Sequence, residues 1–307
     1  MKNIIKSASQ FAFLNPRVLI GFVLCSVGVL LASAGLSKSV TDSLGNPVLR
    51  TGMVRHEATL QVPGTWTATG SMNTARLWHT ATLLNNGKVL VAGGYGIAGA
   101  ALSSAELFDP SNGTWISTGS MITPRRNHTA TLLPDGKVLV AGGQDTSATS
   151  SAELYDPDTG QWTLTGSMTT PRVSHTAALI NTGALSGIVL VAGGSSMCGG
   201  CTPVLDSAEL YDPSTGLWAD TGSMMIARYF GEYSSATLPD GSILIVGGTT
   251  CCPYHWFNEA ELYDSASQTW TPTSTKMTNA NEAPILLADG VVLVAGGIKA
   301  LSRQAAA

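Results

Sequence analysis

The chain has 307 residues, 44% of them hydrophobic and only 12% charged, with 34 glycines and a net charge of −4. A charged fraction near half the ordinary ~25% excludes a disordered chain or a coiled coil. Lys+Arg 16 against Asp+Glu 20 leaves no basic footprint for a phosphate backbone, so nucleic acid is not an expected partner.

The amino end is a separate object. Lys2, Lys6 and Arg17 precede an apolar run from Val18 to about Gly35, and no acidic residue occurs before Asp42. With Ala32-Ser33-Ala34 as a small-residue site, this predicts an export signal over 1–34, cleaved after Ala34. An uncleaved anchor is the alternative, because about 18 apolar residues reach the lower limit for a membrane span. Cys25 follows Leu24 inside the run, where a lipoprotein signal would need a small residue. The expected location is therefore secreted or extracytoplasmic, with membrane contact only through this segment. Its removal takes away three positive charges and leaves the rest at −7. Residues 35–56 carry no pattern and read as a linker.

From residue 57 the sequence repeats itself. Gly-Gly pairs end an apolar run at 93–94, 142–143, 193–194, 247–248 and 296–297, spaced 49, 51, 54 and 49 apart. An Ala-Glu-Leu-Tyr/Phe-Asp stretch recurs around Glu106, Glu153, Glu209 and Glu261, followed by Trp115, Trp162, Trp218 and Trp270. Thr-Gly-Ser-Met begins at Thr69, Thr118, Thr165 and Thr221, and Arg-x-x-His follows at Arg76, Arg125 and Arg172.

Each unit reads as four strands. Strand a is His-Thr-Ala-Thr-Leu-Leu, small enough for a crowded axis; an Asp-Gly or Asn-Gly turn leads to strand b, Lys-Val-Leu-Val-Ala-Gly-Gly. Strand b is apolar on both faces and must be covered on both. Strand c is Ala-Glu-Leu-Tyr-Asp, closed by an Asp-Pro turn, and strand d is expected to begin at the tryptophan. Four short antiparallel strands per fifty residues, stacked face to face, make a propeller blade.

On the double glycine, the strand c aromatic (Phe108, Tyr155, Tyr211, Tyr263) and the strand d tryptophan, the chain resembles the kelch-repeat family over residues 57–298. The resemblance implies an all-β, kelch-type propeller; its functions in other proteins are many. A fifth a–b pair, from about Glu282 to Gly297, has no c or d strand after it, and Ala58-Thr59-Leu60 with Trp66 supplies a c–d pair lacking a and b. Joining them predicts five blades, the last closed by strands from both termini, with 299–307 as a tail.

A residue type present in every blade serves the blade, because a unique site has no need of five copies. The repeated Arg, His, Glu, Tyr and Trp are therefore expected to satisfy buried backbone groups and pack between blades. Functional residues are those that break the pattern, on the face shared by b–c and d–a loops. There Ser195–Ser207 and Thr249–Glu259 are the unusual loops, and the His slot becomes Tyr233 in blade four and Glu282 in blade five. Tyr229, Glu232, Tyr233, Tyr254, His255, Trp256, Phe257 and Glu282 are the candidate binding residues, aromatics with nearby carboxylates that suit a sugar or a peptide.

Cys198, Cys201, Cys251 and Cys252 sit in adjacent b–c loops, and an exported protein meets an oxidising setting. Disulfide stapling is expected, most simply Cys198–Cys201 with Cys251–Cys252; three pairings are open. A four-cysteine zinc site and a redox role are the sharper alternatives. The resemblance also admits enzymes, namely copper oxidases similar to galactose oxidase, or a glycoside-acting propeller using Glu232 and Glu282. No copper ligand transfers residue by residue. The expected function is a non-catalytic binding propeller with no cofactor, no metal and no catalytic residue, its partner a protein or a glycan.

Overall fold

The computed structural model describes residues 67–196, 203–229, 235–250, 255–274, 276–277, 279–280, 284–288, 290–294 and 298–299. Residues Ser71–Ala307 fall in one compact unit and Arg17–Gly70 in another; of the latter only 67–70 are described, and they form no strand. The leader 1–34, the linker 35–56 and the Ala58-Thr59-Leu60 and Trp66 segment lie outside the described residues. So does the tail beyond Lys299.

Four antiparallel four-stranded sheets follow one another in chain order, each with its strands in the order a-b-c-d. The first is Thr80–Leu83, Val89–Ala92, Ala105–Asp109 and Thr114–Thr118. The second is Thr129–Leu132, Val138–Ala141, Ala152–Asp156 and Gln161–Leu164. The third is Thr176–Leu179, Val189–Ala192, Ala208–Asp212 and Leu217–Thr221. The fourth is Ser235–Thr237, Ile243–Val246, Ala260–Asp264 and Thr269–Pro272. A further a–b pair, Pro284–Leu286 with Val292–Val294, comes last. No helix occurs among the described residues. The outer strand begins one residue earlier than its tryptophan in every sheet, because the residue before it pairs with the Asp that ends strand c, as Thr114 does with Asp109.

The a strands of successive sheets touch one another in series, so the sheets stack as blades around them. Strand b is apolar on both faces because each face meets a different blade. Leu90, Ala92 and Met121 of the first blade pack against Val138, Val140, Tyr155 and Trp162 of the second. Leu139, Ala141 and Met168 of the second turn the other way, onto Val189, Val191 and Tyr211 of the third. The third meets Ile243, Ile245 and Tyr263 of the fourth in the same manner. The period-two alternation of a strand thus divides one residue run between two cores.

Candidate functional site

The repeated polar residues are consumed by the blades. In the second repeat the buried Arg125 guanidinium donates to the carbonyls of Gly142 (2.7 Å) and Ser151 (2.9 Å) and to Glu153 Oε1 (2.6 Å). Glu153 in turn accepts the backbone N–H groups of Ile122 and Thr123. One ion pair therefore ties the end of strand b, the start of strand c and the d–a connection. Arg76–Glu106, Arg172–Glu209 and Arg228–Glu261 repeat it.

Other repeated groups join blade to blade. Tyr155 shares a hydrogen bond with Thr118 of the preceding blade (2.8 Å), and Trp162 Nε1–H donates to the Gly119 carbonyl (2.8 Å). Tyr211, Trp218, Tyr263 and Trp270 do the same one and two blades on. The second glycine of the first three pairs donates its N–H to the arginine carbonyl of the next blade, as Gly94 does to Arg125 at 2.8 Å.

The histidines stand at the inner end of the d–a connection. His128 Nε2 bonds the Thr80 hydroxyl of the preceding blade at 3.0 Å, and His175 bonds Thr129 at 2.9 Å. Burial, and then the Arg76 cation, lower the His79 pKa to about 4. Burial and then Arg172 take His175 to about 3, and burial with Arg125 holds His128 well below the ordinary 6.5. All three are neutral at pH 7. Folded values below the unfolded one mean that the unfolded chain binds more protons below pH ~6.5. Their contribution is complete above that pH and is lost as pH falls toward the folded values, by up to about 1.4 kcal/mol per pH unit for each ring. Urea denaturation is expected to show lower stability at pH 5 than at pH 7, with a shallower fall in His128→Gln. An unchanged slope in that variant would exclude the assignment.

Above this frame the d–a and b–c segments pair with each other. Arg76–Leu77 lies antiparallel to Tyr95–Gly96, and Arg126, Val173 and Tyr229 bridge to Gln144, Ser195 and Thr249 at the same position in later repeats. The residues that follow, Trp78, Asn127 and Ser174, have positive φ of 54°, 52° and 50°. The Asn127 N–H donates to the Trp78 carbonyl (3.1 Å) and the Ser174 N–H to the Asn127 carbonyl (3.0 Å), forming a chain of amides from blade to blade. These residues, with the histidines and the hydroxyls of Thr80, Thr129, Thr176 and Ser235, line a cavity of about 680 Å³ bordered by the a strands.

Of the predicted binding residues, Tyr229, His255, Trp256 and Phe257 are described. Tyr229 pairs through its backbone with Thr249, and His255–Trp256 folds back on Thr249–Thr250 as a short hairpin. Both therefore belong to one patch of paired d–a and b–c segments. Phe257 is only 9% exposed; its ring lies 5.3 Å from the Arg228 guanidinium and edge-on to His255 at 5.1 Å. His255 is exposed and Trp256 half-buried. Glu232, Tyr233, Tyr254, Glu282 and the cysteines Cys198, Cys201, Cys251 and Cys252 lie outside the described residues.

A second patch on the same paired segments is absent from the sequence-based candidates. Trp78 and Tyr95 of the first blade have ring centroids 5.6 Å apart, and Arg126 of the second reaches back over both, 4.4 Å from the Tyr95 ring and 5.4 Å from Trp78. Comparing repeats slot by slot exposes it. The residue after the first arginine is Leu77, Arg126, Val173 and Tyr229; the next is Trp78, Asn127 and Ser174; the residue after the glycine pair is Tyr95, Gln144, Ser195 and Thr249.

Four-stranded sheets stacked in series, each latched to the next, define a β-propeller. Residues 79–122, 125–169 and 171–225 match the Kelch motif. Residues 79–225 are thus kelch repeats within a β-propeller. Among solved structures the chain is similar to "Structure of YjhT", at 14% identity and a TM-score of 0.62, covering 77% of this chain and 82% of that one. At that identity the likeness concerns the fold. The chain matches no curated protein.

Proposed function

We propose that this chain is an exported, non-catalytic kelch propeller that holds a protein or carbohydrate partner on its b–c/d–a loop face. A role in binding or scaffolding accords with the kelch fold. The observation that carries the reading is the division of labour between repeated and unrepeated residues. Arg, Glu, Tyr, Trp and the glycine pair are spent on ion pairs and blade-to-blade hydrogen bonds, whereas the slots of the paired d–a and b–c segments change from blade to blade. A scaffold that rigid, carrying variable side chains on one edge of every sheet, suits recognition. Export is supported by the leader, and Cys198, Cys201, Cys251 and Cys252 then act as disulfide staples of two long loops.

The test is a glycan and peptide array probed with the wild-type protein and with Trp256→Ala. Loss of bound signals by about tenfold is expected in the variant; an unchanged pattern removes the fourth-blade loop from the site. Mass measurement of the exported protein before and after reduction checks both the leader and the staples. A free-thiol mass overturns the staples, and an intact amino end overturns the cleavage.

A further inference from the structure

The eight cationic side chains described between residues 67 and 294 separate into two kinds. Arg76, Lys88, Arg125, Lys137, Arg172, Arg228 and Lys276 each lie within 4.0 Å of a carboxylate. Arg126 pairs with none of the described carboxylates. Its Nε is buried without a hydrogen-bond partner, and its guanidinium carbon stands over the rings of Tyr95 and Trp78. In an acidic protein whose seven other cations described between residues 67 and 294 all meet carboxylates, an unpaired one held over two rings is a positioned charge.

Its surroundings are open and, apart from the Asp145 carboxylate that accepts the Ala101 N–H at 3.4 Å, largely apolar. Trp78 and Leu77 are each 46% exposed, and Ile97, at the tip of the same b–c loop, is 95% exposed. Trp, Tyr and Arg are the residue types that carry most of the energy at protein interfaces. An isolated guanidinium stacked on aromatics is weakly hydrated and prefers a carboxylate that completes it bidentately. A small ligand is normally buried over most of its surface; a rim as open as Ile97 and Leu77 suits a longer partner.

We infer that the Trp78–Tyr95–Arg126 cluster is a docking site for an acidic peptide segment of a partner protein. A carboxylate pairs with Arg126, and an adjacent apolar side chain lies on Trp78 and Ile97. The inference rests on the loop face being the binding face, but on a different patch from the fourth-blade aromatics.

The probe is a random copolymer of glutamate and tyrosine, with a lysine–tyrosine copolymer as the charge-reversed control. Immobilised wild-type protein is expected to bind the first and not the second, more weakly as salt is raised. Arg126→Gln and Trp78→Ala should each lower affinity about tenfold or more, and Leu164→Ala, at an exposed side chain of the second blade's strand d, should leave it unchanged. Ile97→Ser, at a side chain almost wholly in solvent, should weaken binding several-fold without touching the fold. It therefore decides the matter if either of the other variants unfolds. Binding in Arg126→Gln or Ile97→Ser equal to wild type overturns the inference, as does binding of sodium glucuronate alone with none of the copolymer. Loss in Trp256→Ala with Arg126→Gln unaffected would overturn this site while leaving the loop face as the binding face. Loss in neither would count against both patches.

Discussion

Replacing Arg125 by methionine is expected to destabilise the propeller by about 3–5 kcal/mol, because it strands the buried Glu153 carboxylate without its cation. Both side chains are fully buried, and the guanidinium also serves the Gly142 and Ser151 carbonyls, which methionine leaves without that donor. Urea denaturation of the purified variant measures the loss. A loss under about 1 kcal/mol would show that the pair is solvated and that the network linking strand b, strand c and the d–a connection is ornamental. Replacing both partners, Arg125→Met with Glu153→Leu, should recover only part of the loss, since it removes the stranded charge but leaves the Ile122 and Thr123 N–H groups and the two carbonyls without these partners. The contrast separates the cost of stranding a charge from the value of the pair.

The second large effect is expected at Gly93. Its φ is +64°, and a Cβ there would stand 2.5 Å from the Arg125 carbonyl oxygen and 2.8 Å from His128 Cε1, both in the next blade. Gly113 has φ +71° with nothing within 4 Å of the same position. Alanine at Gly113 should therefore cost only the left-handed backbone, about 1–2 kcal/mol. Alanine at Gly93 adds overlap across a blade boundary, worth a further ~1–3 kcal/mol. Thermal and urea unfolding of the two variants side by side decide between these causes. Equal losses would mean that the double glycine is a matter of φ alone and that the blades are not in contact there.

Much of this architecture is legible in the chain because it is written several times. A glycine pair recurring at intervals near fifty, with an arginine, a glutamate, a tyrosine and a tryptophan at fixed offsets, identifies both the blade and the structural standing of those residues. Repetition is itself the evidence that Arg125 and Glu153 are framework. What repetition conceals is the reason for each residue. That Thr118 and Gly119 exist to receive Tyr155 and Trp162 of the following blade follows from the stacking, not from the motif.

The candidate site was legible only in part. Tyr229 stands out beside the broken histidine slot of blade four, and His255 and Trp256 because their b–c loop is unusual and aromatic. Trp78, Tyr95 and Arg126 sit in loops of ordinary length, and Trp78 lies close in sequence to repeated residues that mask it. Position 95 meets position 77 through strand pairing within a blade, and position 126 reaches the rings at 78 and 95 across the gap between blades.

By itself the sequence determined the repeat, the four-strand blade, the double-faced burial of strand b and the poverty of charge that goes with it. These are local and periodic properties, set by side-chain alternation and turn chemistry. Which unrepeated side chains share one surface, and that Arg126 is left with two rings and no described carboxylate, was decided only by the tertiary structure. The stacking of successive sheets brings their connecting loops together at one edge. Distance across that edge depends on blade order and register, quantities that no single segment encodes.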